Sequence, residues 1–483
     1  MLTKKQPTLL MAIFPIAILI SLLAVNVIIF NSGATEGPNQ IALLLAAAVA
    51  GIISWRLNNS WDEIEHSMVK SISSAMGAMI ILLVIGALSG TWLLSGIVPA
   101  MIYYGLKILN PTIFLFAAVV VCSIVSLATG SSWSTVATVG IALLGIGKAL
   151  HINEGVVAGA IISGAYFGDK MSPLSDTTNL APAMAGTDLF THVRYMMITT
   201  IPTLTITLLI FLVWGFTLDT TTAVADSGIV LASIEKTFNL NPILFIVPAL
   251  VLFMIVRKIP AIPALLVGAL LGGVFAIIFQ PEIVKQVSGI TDNPLKSSFV
   301  AVIKAMSMTI NIQTDNQMIN ELLTSRGMAG MLNTIWLIIC AMIFGGVMES
   351  AGLLKRIVEE IIKLANSTGS LVASTAITCV FFNLTAGDQY MAIAIPGRMF
   401  SDIYKKRGFK PELLSRTLED AGTVTSVLIP WNTCGATQSR VLGVATMTYA
   451  PYCFFCIISP LMTVLMAYLN YKIRRLSDDK VVA

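Results

Sequence analysis

The stretch Gly164 to Asn179 reads Gly-Ala-Tyr-Phe-Gly-Asp-Lys-Met-Ser-Pro-Leu-Ser-Asp-Thr-Thr-Asn. It places two carboxylates, a lysine, a helix-breaking proline and a row of hydroxyl and amide groups between apolar sequences of helix length. Those flanks leave it little room outside a membrane. Non-helical backbone at membrane depth survives only where it is buried in protein or lines a wet cavity. Ionisable groups there are costly and are functional candidates by default. The stretch therefore predicts an ion site on a broken transmembrane helix.

Composition agrees. Of 483 residues, 56% are hydrophobic and 11% charged, against ~25% charged in a soluble domain. Many apolar runs approach the ~20 residues that cross a bilayer. The predicted fold class is all-α, a polytopic membrane protein. Leu9 to Phe30 is too long for a signal-peptide core and lacks an Ala-x-Ala-like cleavage site, so it reads as a retained first helix. The cysteines Cys122, Cys340, Cys379, Cys434, Cys453 and Cys456 lie in apolar segments without metal-ligand spacing and read as small buried hydrophobes. His66, His151 and His192 flank apolar runs and read as interfacial, with a proton role for one left open.

Along the chain, Leu9 to Phe30 and Ile41 to Trp55 are the first two helices. Arg56 to Lys70 is amphipathic and expected at the interface. Ser73 to Leu94 crosses, and Ser95 to Ile108 is short. Residues 111–147 form two apolar arms meeting at Thr129, Gly130 and a serine cluster. They read as a re-entrant hairpin, with a full helix pair joined by a serine-rich turn left open. Residues 155–188 carry the broken helix, and Val193 to Phe216 crosses. Thr217 to Asn241 reads as a polar linker.

In the second half, Pro242 to Val256 and Ala261 to Phe279 are a helix pair. Gln280 to Gly330 is the longest polar region. Met331 to Met348 crosses, and Gly352 to Ala365 is a charged surface segment. Residues 371–403 repeat the hairpin, with Asp388 and Gln389 at its tip. Residues 413–440 repeat the broken helix. Val444 to Tyr471 is the last helix.

The order of parts thus recurs: helix, short lateral segment, hairpin, broken helix, helix. Matches at a nearly constant offset accompany it: Gly130 against Gly387, Pro202 against Pro460, and Asp176-Thr177 close to Asn432-Thr433. The expected domains are a first repeat at 1–216, a linker at 217–241 and a second repeat at 242–483. Five crossings per half would invert the second half relative to the first, as in secondary transporters. Basic residues give an independent reading. With the N-terminus inside, Lys4, Lys5, Arg56, Lys70, Arg257, Lys258, Lys355, Arg356, the Lys405 to Arg407 cluster, Arg474 and Arg475 fall on the cytoplasmic side. The outside receives mainly Lys107, Lys148, Lys236, Lys285, Lys296, Lys304 and Arg326. That asymmetry follows the positive-inside rule and places both termini in the cytoplasm.

Sodium prefers hard oxygen ligands, and unwinding a helix frees carbonyls at one broken end and N–H groups at the other. Candidate oxygens come from the first tip (Ser131, Ser132, Ser134), the second tip (Asp388, Gln389), the first break (Asp169, Asp176, Thr177, Asn179) and the second (Asp420, Asn432, Thr433). They are expected to converge on one central site, with Asp176 and Asp388 as direct sodium ligands. A carboxylate in a low-dielectric pocket can take a proton when sodium leaves and release it when sodium binds. Asp169 adjoins Lys170 and is expected to pair with it. Asp176 lies after Pro173 where oxygens are densest and is expected to couple sodium to protons. Asp420 has two open roles, ligand or partner of Arg416 one turn earlier.

These residues carry a resemblance. Gly168 to Pro182, with Asp188 and the His192-Val-Arg194 segment, resembles the signature of the NhaC family of sodium/proton antiporters. Gly86 to Trp92 with Ser95 to Pro99, Arg326 to Met331, and Gly345-Gly346 are similar to that family as well. The resemblance covers nearly the whole chain. It implies sodium/proton antiport in the bacterial inner membrane, with small organic anions such as malate and lactate exchanged by some members. It also implies a wider superfamily with paired re-entrant hairpins.

The leading expectation is therefore an antiporter moving sodium and protons without a cofactor. The alternative is an organic-anion exchanger using Lys170, Arg398 and the serine-rich tips. No filter-forming sequence speaks for a channel. No His-Glu-x-x-His or paired catalytic-aspartate motif speaks for an intramembrane enzyme. The lipid bilayer is the expected partner and nucleic acid is not, while a homodimer is left open.

Overall fold

The computed structural model describes residues 5–30, 33–34, 36–108, 110–218, 220–314, 320 and 323–476. Lys4 and part of the loop between the first two helices lie outside them. In hydrocarbon every backbone polar group must be satisfied within the protein, which leaves a leucine-, isoleucine- and alanine-rich chain the helix as its spanning form. Among the described residues, eight helices are long and apolar enough to cross a membrane, or up to ten if two bent pairs count as single spans. The chain is a multi-pass, all-α membrane protein.

Two hairpins and two broken helices occupy its centre. The first hairpin descends through Phe114–Thr129, turns at Gly130 and restarts at Ser132. Gly130 has φ +70°, a left-handed conformation that glycine adopts without steric cost. Ser131 caps the returning arm by accepting from the Ser134 N–H at 3.2 Å. The helix Glu154–Met171 stops at Ser172 and resumes as Asp176–Ala185. Pro173 supplies no N–H and biases Ser172 to the extended conformation it adopts.

The second hairpin runs through Thr368–Thr385, turns at Gly387 (φ +66°) and returns as Gln389–Lys406, capped by Asp388. The second broken helix runs through Pro411–Leu418, a π turn at Glu419–Thr423 and a short 3-10 turn, then restarts at Thr433. Ser132 and Asp388, beside the two turns, are both buried, so these turns sit inside the protein rather than at a surface.

Each tip is pressed against the break of its own half. A Cβ added at Gly130 would lie 2.6 Å from Leu174 Cβ and 2.9 Å from Ser175 N. In the second half, the Thr433 N–H donates to Gly387 O at 2.8 Å. Small residues let the helices around these points approach closely, the usual basis of packing in a membrane. An added Cβ would meet Val119 O at 2.3 Å from Gly164, and Leu127 N and Ser123 O at 2.5 Å from Gly168. Gly397 likewise brings the second hairpin's return arm onto Met184 of the first broken helix, so the halves touch at the centre.

Four segments differ from the sequence reading. The stretch expected at the interface, Arg56 to Lys70, for the most part joins the following crossing as one helix, Trp61–Leu94, of 34 residues. Ser60 and Glu63 form a reciprocal capping box at its start, and no glycine or proline interrupts the chain until Gly77. The 217–241 stretch is helical over Gly228–Thr237 and bends by 94° into the next crossing. Val230, Ile234 and Phe238 bury one face of it; residue 219 and the side chains of 220–227 lie outside the description. The polar region 280–330 contains helices Pro281–Ser288 and Pro294–Ser307 and a two-residue β ladder. The last helix is bent by 54° at Cys453, just after Pro451.

Gly168→Ala tests the close packing at the first broken helix. The added methyl falls on backbone rather than on a flexible side-chain end, and overpacking of this kind costs about 1–3 kcal/mol or more. Purified variant should unfold at a lower temperature than wild type. An unchanged midpoint would mean that the helices are not in backbone contact there.

Candidate ion-binding site

The candidate residues sort into three groups. The first is Asp169 with the first tip. Asp169 Oδ2 accepts from the Ser132 N–H at 3.0 Å and from Ser132 Oγ at 2.7 Å. An acid at the start of a helix meets unpaired N–H groups and the positive end of the helix dipole. Around it, Ser175 Oγ and Thr177 Oγ1 lie 3.2 Å apart. Thr178 Oγ1 donates to the carbonyls of Asp169 and Lys170 at 3.2 and 3.0 Å, closing groups that the break exposes. Asn179 spends its amide N–H groups on Pro173 O and Ser175 O at 3.0 and 2.7 Å. It holds the break in shape.

The second group is built on Asp388. Its Oδ1 accepts from the N–H groups of Tyr390 and Met391 at 2.9 and 3.0 Å. Its Oδ2 has one long contact, 3.5 Å from Thr433 Oγ1. Thr433 Oγ1 is also 3.4 Å from Asn432 Oδ1, which caps the restarting helix by accepting from the Cys434 N–H at 3.0 Å. Asn432 Nδ2 donates to Asn383 Oδ1 at 3.1 Å. Asp388, Thr433, Asn432 and Asn383 are all buried. Their oxygens form a chain whose contacts to Thr433 are too long for good hydrogen bonds. Gln389 is buried at the same tip.

The third group is an ion pair. Lys170 does not pair with its neighbour Asp169. Helix geometry turns consecutive side chains about 100° apart, so adjacent residues do not face each other. Lys170 reaches across to Asp420 of the second broken helix instead, and its Nζ donates to Ser459 Oγ at 3.1 Å. Ser459 Oγ donates to Asp420 Oδ1 at 3.1 Å and Thr199 Oγ1 to Asp420 Oδ2 at 2.9 Å. Arg416 Nε stands 4.0 Å from Asp420 Oδ2, and its guanidinium stacks 4.6 Å over the Tyr195 ring. Of the two roles open to Asp420, its geometry is that of a charge partner.

Asp176 has a different setting. It is the first residue of the restarting helix and is exposed. Asp169, Asp176 and Asp388 all lie within electrostatic reach of Tyr390, so the first break adjoins the second tip. Among the described residues no cluster of three or more histidine, cysteine or acidic side chains forms a metal centre. A cation here would use one carboxylate with hydroxyl, amide and carbonyl oxygens.

The sequence reading missed several participants. Asn383, Thr199 and Ser459 are lone polar residues inside apolar helices, each of which ends as a partner of an acid or an amide. Glu419 is fully buried, and neither of its carboxylate oxygens has a hydrogen-bond partner. Its position three residues after Arg416 gives it the appearance of a surface pair. A π turn, a form found often at functional sites, carries Glu419 and Asp420 together.

Residues 164–471 match the model of a family described as the Na+/H+ antiporter family. The chain belongs to this family of ion-coupled membrane antiporters. It is 36% identical to the Na(+)/H(+) antiporter NhaC of Alkalihalophilus pseudofirmus, covering 89% of this chain and 90% of the relative. It is 36% identical to the malate-2H(+)/Na(+)-lactate antiporter of Bacillus subtilis, covering 89% of each. It is 34% identical to the Na(+)/H(+) antiporter NhaC of Bacillus subtilis, covering 95% of this chain and 98% of the relative.

The ion pair has a direct test. Asp420→Asn leaves Lys170 buried without its counter-charge, at a cost of about 3–5 kcal/mol. The variant should express poorly and unfold early. Adding Lys170→Met should recover much of the lost stability, since it removes the stranded charge. Wild-type stability in the single variant would show that the pair is not buried and charged.

Proposed function

We propose that this chain is a secondary active transporter that exchanges sodium for protons by alternating access. The observation that carries the reading is the asymmetry of Asp388. One carboxylate oxygen is fixed by two backbone N–H groups, while the other has one long contact, to Thr433 Oγ1, which in turn lies at long range from Asn432 Oδ1. A buried acid with one oxygen fixed and one open can hold either a proton or a sodium ion, and the same neighbours suit both. Sodium would take Asp388 Oδ2, Thr433 Oγ1 and Asn432 Oδ1. Asp169 and its hydroxyl neighbours offer a second position at the first break, and exposed Asp176 serves as the entry group between them. The sodium and proton named for the NhaC relatives support this assignment.

The proposed arrangement is a pair of inverted repeats in a bacterial inner membrane, with both termini cytoplasmic. The lysine and arginine distribution supports it. A single cysteine placed between Lys405 and Arg407 should resist an impermeant thiol reagent added to intact cells and react after permeabilisation. Labelling from outside would reject the inverted arrangement.

A second reading, exchange of small organic anions, draws support from the malate and lactate named for one relative.

Asp388→Asn should abolish sodium-dependent proton flux in proteoliposomes while leaving a folded protein, since an amide buries no bare charge. Asp176→Asn should weaken exchange but retain it. Apparent sodium affinity in wild type should fall as pH falls, roughly tenfold per unit below the pKa of the shared group for one-to-one competition. Normal flux in Asp388→Asn would remove that residue from the site. A pH-independent sodium affinity would remove the competition.

A further inference from the structure

Glu419 is a buried acid that the exchange proposed above does not use. It opens the π turn Glu419–Thr423 of the second broken helix. It is fully buried, and neither of its carboxylate oxygens has a hydrogen-bond partner. The next residue, Asp420, is equally buried but well supplied: Lys170, Ser459 and Thr199 all donate to its carboxylate. A carboxylate stripped of water and given no donor is among the costliest groups to bury, and such a group stays neutral instead.

The ionisable groups that face Glu419 come from three elements. Lys170 and Asp169 reach it electrostatically from the first broken helix, Cys379 from the first arm of the second hairpin, and Asp420 from its own turn. Lys170 is the cation among them, and it is bonded to Asp420. Asp169 and Asp420 are acids, so neither can serve Glu419 as a counter-charge. Arg416, one turn earlier, stacks over the Tyr195 ring and stands 4.0 Å from Asp420. Two adjacent acids therefore lie before one lysine, and the lysine is bound to the second of them. The Thr423 hydroxyl on the same turn is also without a partner. A hard cation takes a shell of several oxygens, whereas a proton needs only the carboxyl itself.

We propose that Glu419 is a proton-binding site of its own, separate from the acid at which sodium and protons compete. With its proton in place Glu419 is neutral, and Lys170 is left to Asp420, which is the arrangement in this structure. Removing that proton would set two adjacent negative charges before a single lysine. Lys170 would then be divided between Glu419 and Asp420. Lys170 belongs to the first broken helix and both acids to the second, so the proton bears on the contact between the two halves. The site is built from the buried cluster alone, and its occupancy does not depend on the exchange proposed above.

The test is infrared difference spectroscopy on the purified full-length protein, with the side-chain carboxyls of glutamate isotope-labelled to separate them from those of aspartate. Among the described residues the other buried glutamate is Glu412, which pairs with Arg474 at 3.2 Å. At neutral pH a labelled carboxylic-acid band should be present in wild type. It should stay in place when choline is exchanged for sodium, and it should be lost in Glu419→Gln. Glu419→Asp keeps an acid at the position, so the band should pass from the labelled glutamate window to that of aspartate. Taken from alkaline to neutral pH, Glu419→Gln should bind one proton fewer per chain than wild type. The wild-type spectra carry the test if either variant fails to fold. Asp388→Asn should keep the labelled band. Normal sodium-dependent flux in Asp388→Asn with the band present would reject the exchange site and uphold Glu419. No labelled acid band in wild type, a band unchanged in Glu419→Gln, or one that sodium removes would overturn the proposal.

Discussion

The structure depends on satisfying backbone polar groups at a depth where water does not do it. A continuous helix solves that problem internally, while a tip or a break reopens it by exposing N–H groups on one side and carbonyls on the other. Here four helix restarts fall together, and each has its own cap: Ser131, Ser175, Asp388 and Asn432. Their remaining partners come from the facing element. Ser132 N–H goes to Asp169, and Thr433 N–H to Gly387 O. Tip and break therefore stabilise each other, and neither would hold its geometry alone. The oxygens suited to a cation are in large part those recruited to repair the interrupted helices.

The Lys170–Asp420 pair belongs to a different level of organisation. Its two residues come from the broken helices of opposite halves, and Thr199 and Ser459 bracket the carboxylate from two further helices. A buried ion pair adds little net stability over apolar residues, but losing one partner is expensive. The pair acts as a register device, since Lys170 has no other carboxylate within ion-pairing distance among the described residues. Arg416 adds a second positive charge beside it with no hydrogen bond to any of its guanidinium nitrogens, stacked on Tyr195. Glu419, one residue before Asp420, is the nearby buried acid without a partner.

Much of this was legible in the sequence because membrane depth makes polar residues conspicuous. Gly130, Pro173, Gly387 and the run from Pro430 to Thr433 interrupt apolar sequence, and each lies at a tip or a break. Partner choice was not legible. Asp169 and Lys170 are adjacent in sequence, but the helix sends one toward the first tip and the other across to Asp420. The exposure of Asp176 was equally hidden, because oxygen density along the chain says nothing about which oxygens a neighbouring helix covers. Residues 56–70 misled for another reason. A polar face on a helix reads as interfacial, yet Ser67 donates to Gly346 O at 2.8 Å, so part of that face is turned inward against another helix.

The two buried carboxylates that hold the tips differ in a way that bears on the proposed exchange. Asp169 has one oxygen held by both the backbone and the side chain of Ser132 at 3.0 and 2.7 Å. The hydroxyl hydrogen bond is short, and moving Ser132 would undo the start of its helix. Asp388 receives two N–H groups on one oxygen and keeps the other beside the Thr433 hydroxyl at long range. An ion at Asp388 would displace little, because good hydrogen bonds hold the fixed oxygen and only a long one the open oxygen. An ion arriving at Asp169 must share its acid with the hairpin itself. Binding at Asp169 would thereby be tied to the position of the first tip, whereas binding at Asp388 would leave the second tip in place.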